Sequence, residues 1–405
     1  MLQKPDAEPV VTRDQANWPM LALGWTIYFS FGMGVASLVP LVSIIKADLD
    51  LSYTQIGMLL GAWQLVFMVA AAPAGWAIDR FGPKRVLVFG AIIIAISISL
   101  RTFAHSFIFL LFTVGFFGIG GPITAVGLTK LVADWFTGAS RGLASGIYIT
   151  GAAAGIAMVL ALTHPVFLPL AGGWREAHVI YGAIAFAIAI AWIFFGRDNP
   201  DSTFDRRARK QSKEKGSYLS VITQPAVWMV VAVGFAGFLA NHGVRNWLPE
   251  ILEQAGMSRE VAGLLGALPA ITGIVGSIVV LKLATRGAGA RRIAILSLLV
   301  VTALAVLAIM TTTGPLLVLA IMVEGFCAGA FAPLMLNTLM EMPGVGARNT
   351  GAAAGLFFSV GELGGTAGPV MMGVAADATG TFSAGLVLVA LTMIVMIIPA
   401  LRIRS

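Results

Sequence analysis

The chain has 405 residues, of which 58% are hydrophobic and 11% are charged, and its formal net charge is +7. So few polar residues cannot cover the surface of a water-soluble protein of this length. The composition therefore excludes a soluble enzyme and predicts an integral membrane protein. The sequence has a single cysteine, Cys327, which lies in an apolar run. Because there is no second cysteine, an intrachain disulfide is excluded.

Twelve apolar runs follow one another along the chain, each long enough, at about 20 residues, to cross a bilayer as a helix. They are continuous rather than alternating, which favours helices over barrel strands. We therefore predict an all-α fold with a cytoplasmic N-terminal tail over 1–17, six helices over 18–196, a cytoplasmic linker over 197–222 and six helices over 223–405. The runs begin near Trp18, Ser52, Lys84, Phe107, Arg141, Glu176, Pro225, Ser258, Arg291, Gly314, Asn349 and Phe382.

Lysine and arginine are unevenly divided between the two sides that these helices define. If the N-terminus is inside, 21 of the 26 basic residues fall on the inner side. The positive-inside rule then predicts that both termini are cytoplasmic, and the short loops favour a bacterial inner membrane. Topology also explains the net charge, so no nucleic-acid partner is expected. The five remaining basic residues are Lys46, Arg101, Arg175, Arg245 and Arg259.

The two halves of the chain resemble each other in sequence. SYTQIGMLLGA, from Ser52, aligns with SREVAGLLGA, from Ser258, and the alignment places Gly57 over Gly263. Between the halves runs the longest polar stretch, RDNPDSTFDRRARKQSKEKGSY. This pattern predicts a duplicated six-helix unit with 6+6 pseudo-symmetry.

A short, highly charged segment, GWAIDRFGPKR, separates the second and third apolar runs. Its spacing, G-x-x-x-D-R-x-G-x-[RK]-[RK], within a twelve-helix chain closely resembles the signature loop of the major facilitator superfamily of secondary transporters. The resemblance implies two bundles that rock about a central site. The loop residues that match are Gly75, Asp79, Arg80, Gly82, Lys84 and Arg85.

Asp79 suggests a physical role for this loop. A carboxylate near a helix N-terminus is stabilised by roughly 0.3–1 kcal/mol through the free amides and the dipole there. The family resemblance suggests the start of the eleventh helix, at Asn349 and Thr350, as that N-terminus. We hypothesise a conformational latch made by the loop together with Arg141. The second copy of the loop, TRGAGARR, has no acid at the position of Asp79.

Two stretches of the second half indicate the kind of cargo. The run from Asn246 to Ser277, beginning NWLPEIL, and GFCAGAFAPLMLNTLMEM resemble the cyanate and nitroimidazole permease branch. RGLASG, from Arg141, is similar to oxalate and monocarboxylate transporters. These resemblances imply a small organic or inorganic anion as cargo, such as a carboxylate or a cyanate-like ion. No metal-ligand cluster, phosphate loop or nucleophile–base set appears, so we expect no cofactor, no catalytic residue and transport by a monomer driven by a gradient.

Arg245 is the candidate anion-binding residue, because a guanidinium can hold a carboxylate with two parallel hydrogen bonds. Asn241 and His242 precede it by four and three residues and so lie on the same or a neighbouring helix face. The resemblance also implies that the first, fourth, seventh and tenth helices line the path, which adds Tyr28 and Asn337.

Glu362 and Glu324 are the candidate proton carriers. Glu362 follows Thr350 by twelve residues, which places it roughly 18 Å into a helix that crosses about 30 Å of hydrocarbon. Glu324 lies about ten residues into the tenth run, and charge at such depth requires a partner or a function. Proton symport is one mechanism, and a uniporter or exchanger with Arg245 as its fixed charge is another. Two other functions stay open: efflux of cationic or amphiphilic drugs bound by these glutamates, and a sensor that binds a ligand without moving it.

Overall fold

The computed structural model describes residues 16–200, 221–342 and 345–403, and within them twelve long helices form the body of the protein. Six short helical segments, at Val39–Leu41, Val42–Asp48, Arg101–Phe103, Thr163–Phe167, Leu168–Ala171 and Ile397–Arg402, flank them. In chain order the long helices are α1 (Trp18–Ala36), α2 (Tyr53–Phe81), α3 (Pro83–Leu100), α4 (Phe107–Trp135), α5 (Gly138–Leu162), α6 (Trp174–Phe195), α7 (Pro225–Gln254), α8 (Arg259–Ala284), α9 (Ala288–Thr311), α10 (Gly314–Met340), α11 (Gly346–Thr379) and α12 (Ser383–Val395).

The predicted all-α membrane fold is confirmed. Over the described residues, eleven helical segments are long and apolar enough to cross a membrane. The long helix outside that set is α11, which is rich in glycine and carries Glu362 and Asp377. It packs against α7 within its own half and against α2 of the other half. The N-terminal tail over 1–15 and most of the linker, 201–220, lie outside the described residues.

The internal repeat is visible in the way α2 and α8 begin. The Ser52 hydroxyl accepts a hydrogen bond from the Gln55 backbone amide at 3.2 Å. At the equivalent place, the Ser258 hydroxyl accepts one from the Val261 amide at 3.4 Å. Both serines therefore serve as N-caps, which satisfy an amide that the helix itself leaves unpaired.

Equivalent glycines then bring equivalent helices into backbone contact across the two halves. A Cβ added at Gly57 of α2 would lie 2.5 Å from the Pro369 carbonyl oxygen of α11. One added at Gly263 of α8 would lie 2.3 Å from the Leu160 carbonyl oxygen of α5. Small residues permit this approach between membrane helices, where larger side chains would hold the backbones apart.

Glycine is equally required between helices of one half, and Gly276 gives a direct test. A Cβ at this position of α8 would lie 1.9 Å from the Phe326 carbonyl oxygen of α10. We expect Gly276→Ala to destabilise the protein by about 1–3 kcal/mol, because the two backbones must separate. The unfolding temperature in detergent measures this effect. Gly289→Ala is the control, since no atom lies within 4 Å of its added Cβ, and equal unfolding temperatures of the two variants would contradict the packing account.

The two halves meet at one end of the bundle, which we name the closed end: α2 begins there and α11 ends there. Tyr53, Gly57, Gly61 and Gln64, spaced by three or four residues, form a stripe on α2 that contacts α11 or α7. At the opposite end, which we name the open end, no atom of the described residues lies within 4 Å of a Cβ added at several glycines of α2, α5 and α11. These are Gly75, Gly142, Gly146 and Gly351.

Candidate functional site

A polar cluster lies where the contact between α2 and the second half stops, midway between the two ends. The Gln64 side-chain nitrogen lies 3.2 Å from His242 Nδ1 and 3.4 Å from the Gly365 carbonyl oxygen. An amide group has two N–H donors, so it can serve both acceptors. Neutral His242 would then carry its proton on Nε2. This hydrogen bond joins the two halves at the middle of the bundle, where the contact that begins at the closed end stops.

Glu362 borders the same space from α11. A Cβ added at Gly365 would lie 3.0 Å from His242 Cδ2 and 3.4 Å from Glu362 Oε2. Glu362 is 8% exposed, and its Oε2 atom is buried without a hydrogen-bond partner among the described residues. Tyr28, on α1 of the opposite half, lies within electrostatic range of this carboxyl. Glu362 lies midway along α11, a helix of 34 residues.

Arg245 and Glu324 form the part of the cluster nearest the closed end. Each lies within electrostatic range of the other, but among the described residues no ion pair within 4.0 Å joins them. Arg245 Nε and Glu324 Oε1 are buried without hydrogen-bond partners in the same described set. His242 is also within range of Arg245, and Asn241 beside it is partly buried. Opposite charges thus face each other without direct contact, an arrangement that leaves hydrogen-bonding capacity for a third group.

We refer to six residues together as the central cluster: Tyr28, Gln64, His242, Arg245, Glu324 and Glu362. Five of them are predicted from the sequence. The sequence offers Gln64 only as one of several polar or aromatic residues within the spans, because a lone amide in an apolar run produces no spacing signal, and its partner His242 lies 178 positions away in the chain.

Asn337 does not join the central cluster. Its side-chain nitrogen donates to Glu341 Oε1 at 3.1 Å, and Glu341 pairs with Arg291 of α9. This group lies at the open end of α10, thirteen residues and roughly 20 Å beyond Glu324. A polar residue of the tenth helix need not line the path at mid-depth, and the local ion pair accounts for the orientation of Asn337.

The signature-loop residues lie at the open end. Asp79, Arg80, Arg85 and Arg141 are exposed. The Arg80 guanidinium lies 5.5 Å from the centre of the Trp76 ring. Gly82 adopts a φ of +83°, a left-handed conformation that favours glycine and allows the sharp turn from α2 into α3. Gly75 faces open space, and the side chain of Thr350 is outside the described set, so the latch remains a prediction.

Lys84 contributes to this corner through its backbone. Its amide donates to Asp198 Oδ1 at 2.8 Å, so an acid just after α6 satisfies the start of α3. The Trp192 indole N–H donates to the Lys84 carbonyl oxygen at 3.0 Å. The loop is thus held to α6 within the first half.

At the closed end, Asp377 of α11 is hydrogen-bonded to the first residues of α2. Its Oδ1 accepts from the Tyr53 amide at 2.9 Å, and its Oδ2 accepts from the Thr54 amide at 2.8 Å and the Thr54 hydroxyl at 2.6 Å. A carboxylate of α11 therefore occupies the positive N-terminus of α2. Nearby, the Ser43 hydroxyl donates to Glu253 Oε2 at 2.8 Å, which is a further hydrogen bond between the halves.

Arg101 is a buried cation of the first half, although the charge pattern assigns it to an outer helix end. Its guanidinium donates to the Gly34 carbonyl oxygen at 3.2 Å and to the Ser37 hydroxyl. It also lies 5.7 Å from the centre of the Phe117 ring. Arg101 is thus held against the end of α1 by these contacts.

A groove of about 840 Å³ lies between α8, α9 and α10, apart from the central cluster. Its lining is apolar except for a few residues, among them Arg286 and Thr272. Cys327 is buried at its inner wall. Exposed side chains such as Ile293 and Leu319 place the groove on the outer surface of the bundle.

Comparison with known proteins agrees with the fold and its organisation. The family model described as Major Facilitator Superfamily matches residues 24–369 and 247–404. A bacterial homologue of the human lysosomal transporter Spinster, in an inward-facing and occupied conformation, superposes with a TM-score of 0.78 at 17% identity, over 95% of this chain and 96% of that one. At this identity the likeness concerns the fold alone.

Curated relatives carry names of organic-anion transporters. The "Probable sulfoacetate transporter SauU" of Cupriavidus necator is 29% identical over 248 residues, which span 58% of this chain and 56% of that protein. The "Probable galactarate/D-glucarate transporter GudP" of Bacillus subtilis is 25% identical over 85% of this chain and 82% of its own length. The "Hexuronate transporter" of the same organism is 25% identical over 85% of this chain and 84% of its own length.

Proposed function

This chain belongs to the major facilitator superfamily, and from that premise we propose that it moves a small organic anion across a bacterial inner membrane by alternating access. The cargo binds at the central cluster, between the two six-helix halves. The open end faces the cytoplasm, as the distribution of basic residues predicts. The names of the relatives support an anionic cargo, and so does the chemistry of the cluster.

The observation that carries this proposal is the state of Arg245. Arg245 is partly exposed, but its Nε atom is buried, and a guanidinium largely withdrawn from water is costly unless an anion or a full set of acceptors balances it. Glu324 lies in electrostatic range but does not form an ion pair within 4.0 Å. A carboxylate cargo would complete the coordination of Arg245, with bidentate geometry available to it. Asn241 and His242, on the same stretch of α7, are placed to assist.

Proton coupling follows if a glutamate gains a proton when the anion binds. Protonation of Glu324 would remove the internal counter-charge of Arg245 and leave that cation for the cargo. Glu362, with its buried and unpartnered Oε2 atom, can take up a proton at the interface of the halves. Either glutamate would link anion binding to a proton, which is the chemistry of symport.

The experiment that tests this function is a screen for ligand-dependent thermal stabilisation of the purified protein. A ligand that binds the folded state raises its stability in proportion to ligand concentration and affinity. We expect small carboxylates to raise the unfolding temperature of the wild type and to have no effect on Arg245→Ala. Stabilisation by inorganic or organic cations that persists in Arg245→Ala would contradict an anion site at Arg245.

Efflux of cationic amphiphiles is the second candidate function, and one observation favours it. The Glu362 carboxyl, whose Oε2 atom has no hydrogen-bond partner among the described residues, lies one helical turn from the exposed ring of Phe358. A carboxylate beside an aromatic ring is a binding arrangement for an amphiphilic cation. The same screen separates the two candidates, since a cationic drug would depend on Glu362 rather than on Arg245.

Asp377 and Asp79 are proposed to act as opposing latches on one helix pair. Asp377 binds the start of α2 when the closed end is shut. Asp79, at the other end of α2, would bind the start of α11 when the open end shuts. Asp377→Asn should therefore open the closed end, and Asp79→Asn should favour its closure.

Thiol labelling can measure these opposite shifts. In a Cys327→Ala background, Val370→Cys introduces a thiol in the α2 contact, because Val370 Cα lies 3.0 Å from an added Gly57 Cβ. We expect faster labelling with Asp377→Asn and slower labelling with Asp79→Asn. Asp50→Asn, an exposed acid near the same end, is the control for loss of charge alone. Equal labelling rates in all four proteins would contradict the latches.

A further inference from the structure

Aromatic rings lie beside the charged groups of the second half, on the side toward the open end. On α7, Phe238 precedes His242 by one turn and stacks on its ring, with centroids 6.1 Å apart. On α11, Phe358 precedes Glu362 by the same four residues, and its ring lies 6.4 Å from that of Phe238. Phe358 is 41% exposed. Both helices run from the open end to the closed end. A molecule that enters from the open end would therefore meet the two rings before it reaches Arg245.

The first half presents a second aromatic surface to the same cluster. The Trp63 ring lies 6.0 Å from that of His242. Tyr28 lies within electrostatic range of Glu362, and its ring is 5.5 Å from those of Phe31 and Tyr148. The rings of both halves therefore surround the level at which the two bundles meet.

Some polar groups at this level are already bonded within the protein, whereas Gln64 Oε1 and Glu362 Oε2 have no hydrogen-bond partner among the described residues. The Gln64 nitrogen serves His242 and Gly365. The Thr366 hydroxyl donates toward the Gly61 and Glu362 carbonyl oxygens, each at 3.1 Å. The rings themselves offer no strong hydrogen-bond partner, so a cargo body with many hydroxyls that lies between them would lose its water without replacing those bonds, which is a large penalty in a buried site.

We infer that the cargo is a carboxylate with a compact apolar or aromatic body, held head-first with its anionic group at Arg245 and its body between Phe238, Phe358 and Trp63. The inference rests on the proposed function and narrows it. Arg245 follows Phe238 by seven residues, so ring and cation lie about 10 Å apart along one face of α7. That length suits a single-ring carboxylate. The polyhydroxylated sugar acids named for several relatives have a body of the opposite polarity.

Binding of three carboxylates that differ in their bodies tests this inference. Phenylacetate, acetate and galactarate are titrated against the purified full-length wild type, with tetraphenylphosphonium as the cationic comparison. We expect phenylacetate to bind at least tenfold more tightly than acetate, because its ring is buried on binding. Galactarate should bind no better than acetate. Tighter binding of galactarate would overturn the inference while leaving an anion carrier; binding of the cation alone would overturn the proposed function as well.

Ring-specific variants provide the second readout. Phe358→Ala should weaken phenylacetate binding roughly tenfold and leave acetate binding unchanged, because only the ring loses its contact. Phe358→Leu, which retains an apolar side chain, should lie between them. The matched control is Phe89→Ala on α3, which removes a ring that is 64% exposed on the outer surface. Equal losses for phenylacetate and acetate in Phe358→Ala, or the same loss in Phe89→Ala, would contradict the assigned position of the body.

Discussion

Arg245→Ala is expected to lower carboxylate uptake into proteoliposomes by roughly two orders of magnitude or more, the size of effect seen when one member of a buried charge pair is truncated. The variant removes the guanidinium that would hold the anion. It also leaves Glu324 buried without the cation that lies in its electrostatic range. Initial uptake rates at several cargo concentrations measure the change.

Two further variants separate the effect of the bidentate guanidinium geometry from the effect of the positive charge. Arg245→Lys keeps a positive charge but loses the bidentate geometry, so we expect partial uptake with a raised KM. Arg292→Ala, which removes an exposed guanidinium at the open end that donates to the Leu401 carbonyl oxygen, should leave uptake near the wild-type rate. Wild-type uptake rates in Arg245→Ala would contradict an anion-binding site at Arg245 on α7.

Glu362→Gln is expected to abolish proton-driven accumulation and to preserve exchange of cargo. Glutamine has the size of a protonated glutamate but cannot release a proton, so the variant should be held in one protonation state. Uptake driven by an inward proton gradient should fall at least tenfold, which is a usual effect for removal of a proton-transfer group. Counterflow between equal concentrations of cargo, which needs no net proton movement, should continue.

The same comparison with Glu324→Gln identifies which glutamate carries the proton. If Glu324 is the carrier, that variant loses gradient-driven uptake and Glu362→Gln does not. Glu260→Gln, at the exposed start of α8, is the control for a carboxyl outside the membrane interior. Unchanged gradient-driven uptake in both Glu362→Gln and Glu324→Gln would contradict proton coupling through the central cluster.

The sequence predicts the features that depend on one helix at a time. Helix number follows from apolar length, because the bilayer sets the length that a helix must have. The depth of Glu362 follows from counting residues, because the rise per residue is constant. Ser52 and Ser258 are aligned by the repeat, and both prove to be N-caps.

Contacts between the halves could not be predicted in this way. The bond between Gln64 and His242, and those between Asp377 and the start of α2, join residues 178 and more than 300 positions apart. No periodicity within one helix records which residue of another helix it will meet. Asn337 illustrates the same limit, since the sequence does not show that its side chain donates to Glu341 at the open end rather than joining the central cluster.

Counterflow of a labelled small carboxylate in proteoliposomes tests the central claim most directly, because it detects movement of the anion without assuming a driving force. We expect the wild type to take up labelled phenylacetate into vesicles preloaded with the unlabelled compound. We expect Arg245→Ala vesicles to match protein-free vesicles. Binding of the carboxylate without counterflow would indicate a sensor, and flux that is unchanged in Arg245→Ala would show that the anion does not pass through the central cluster.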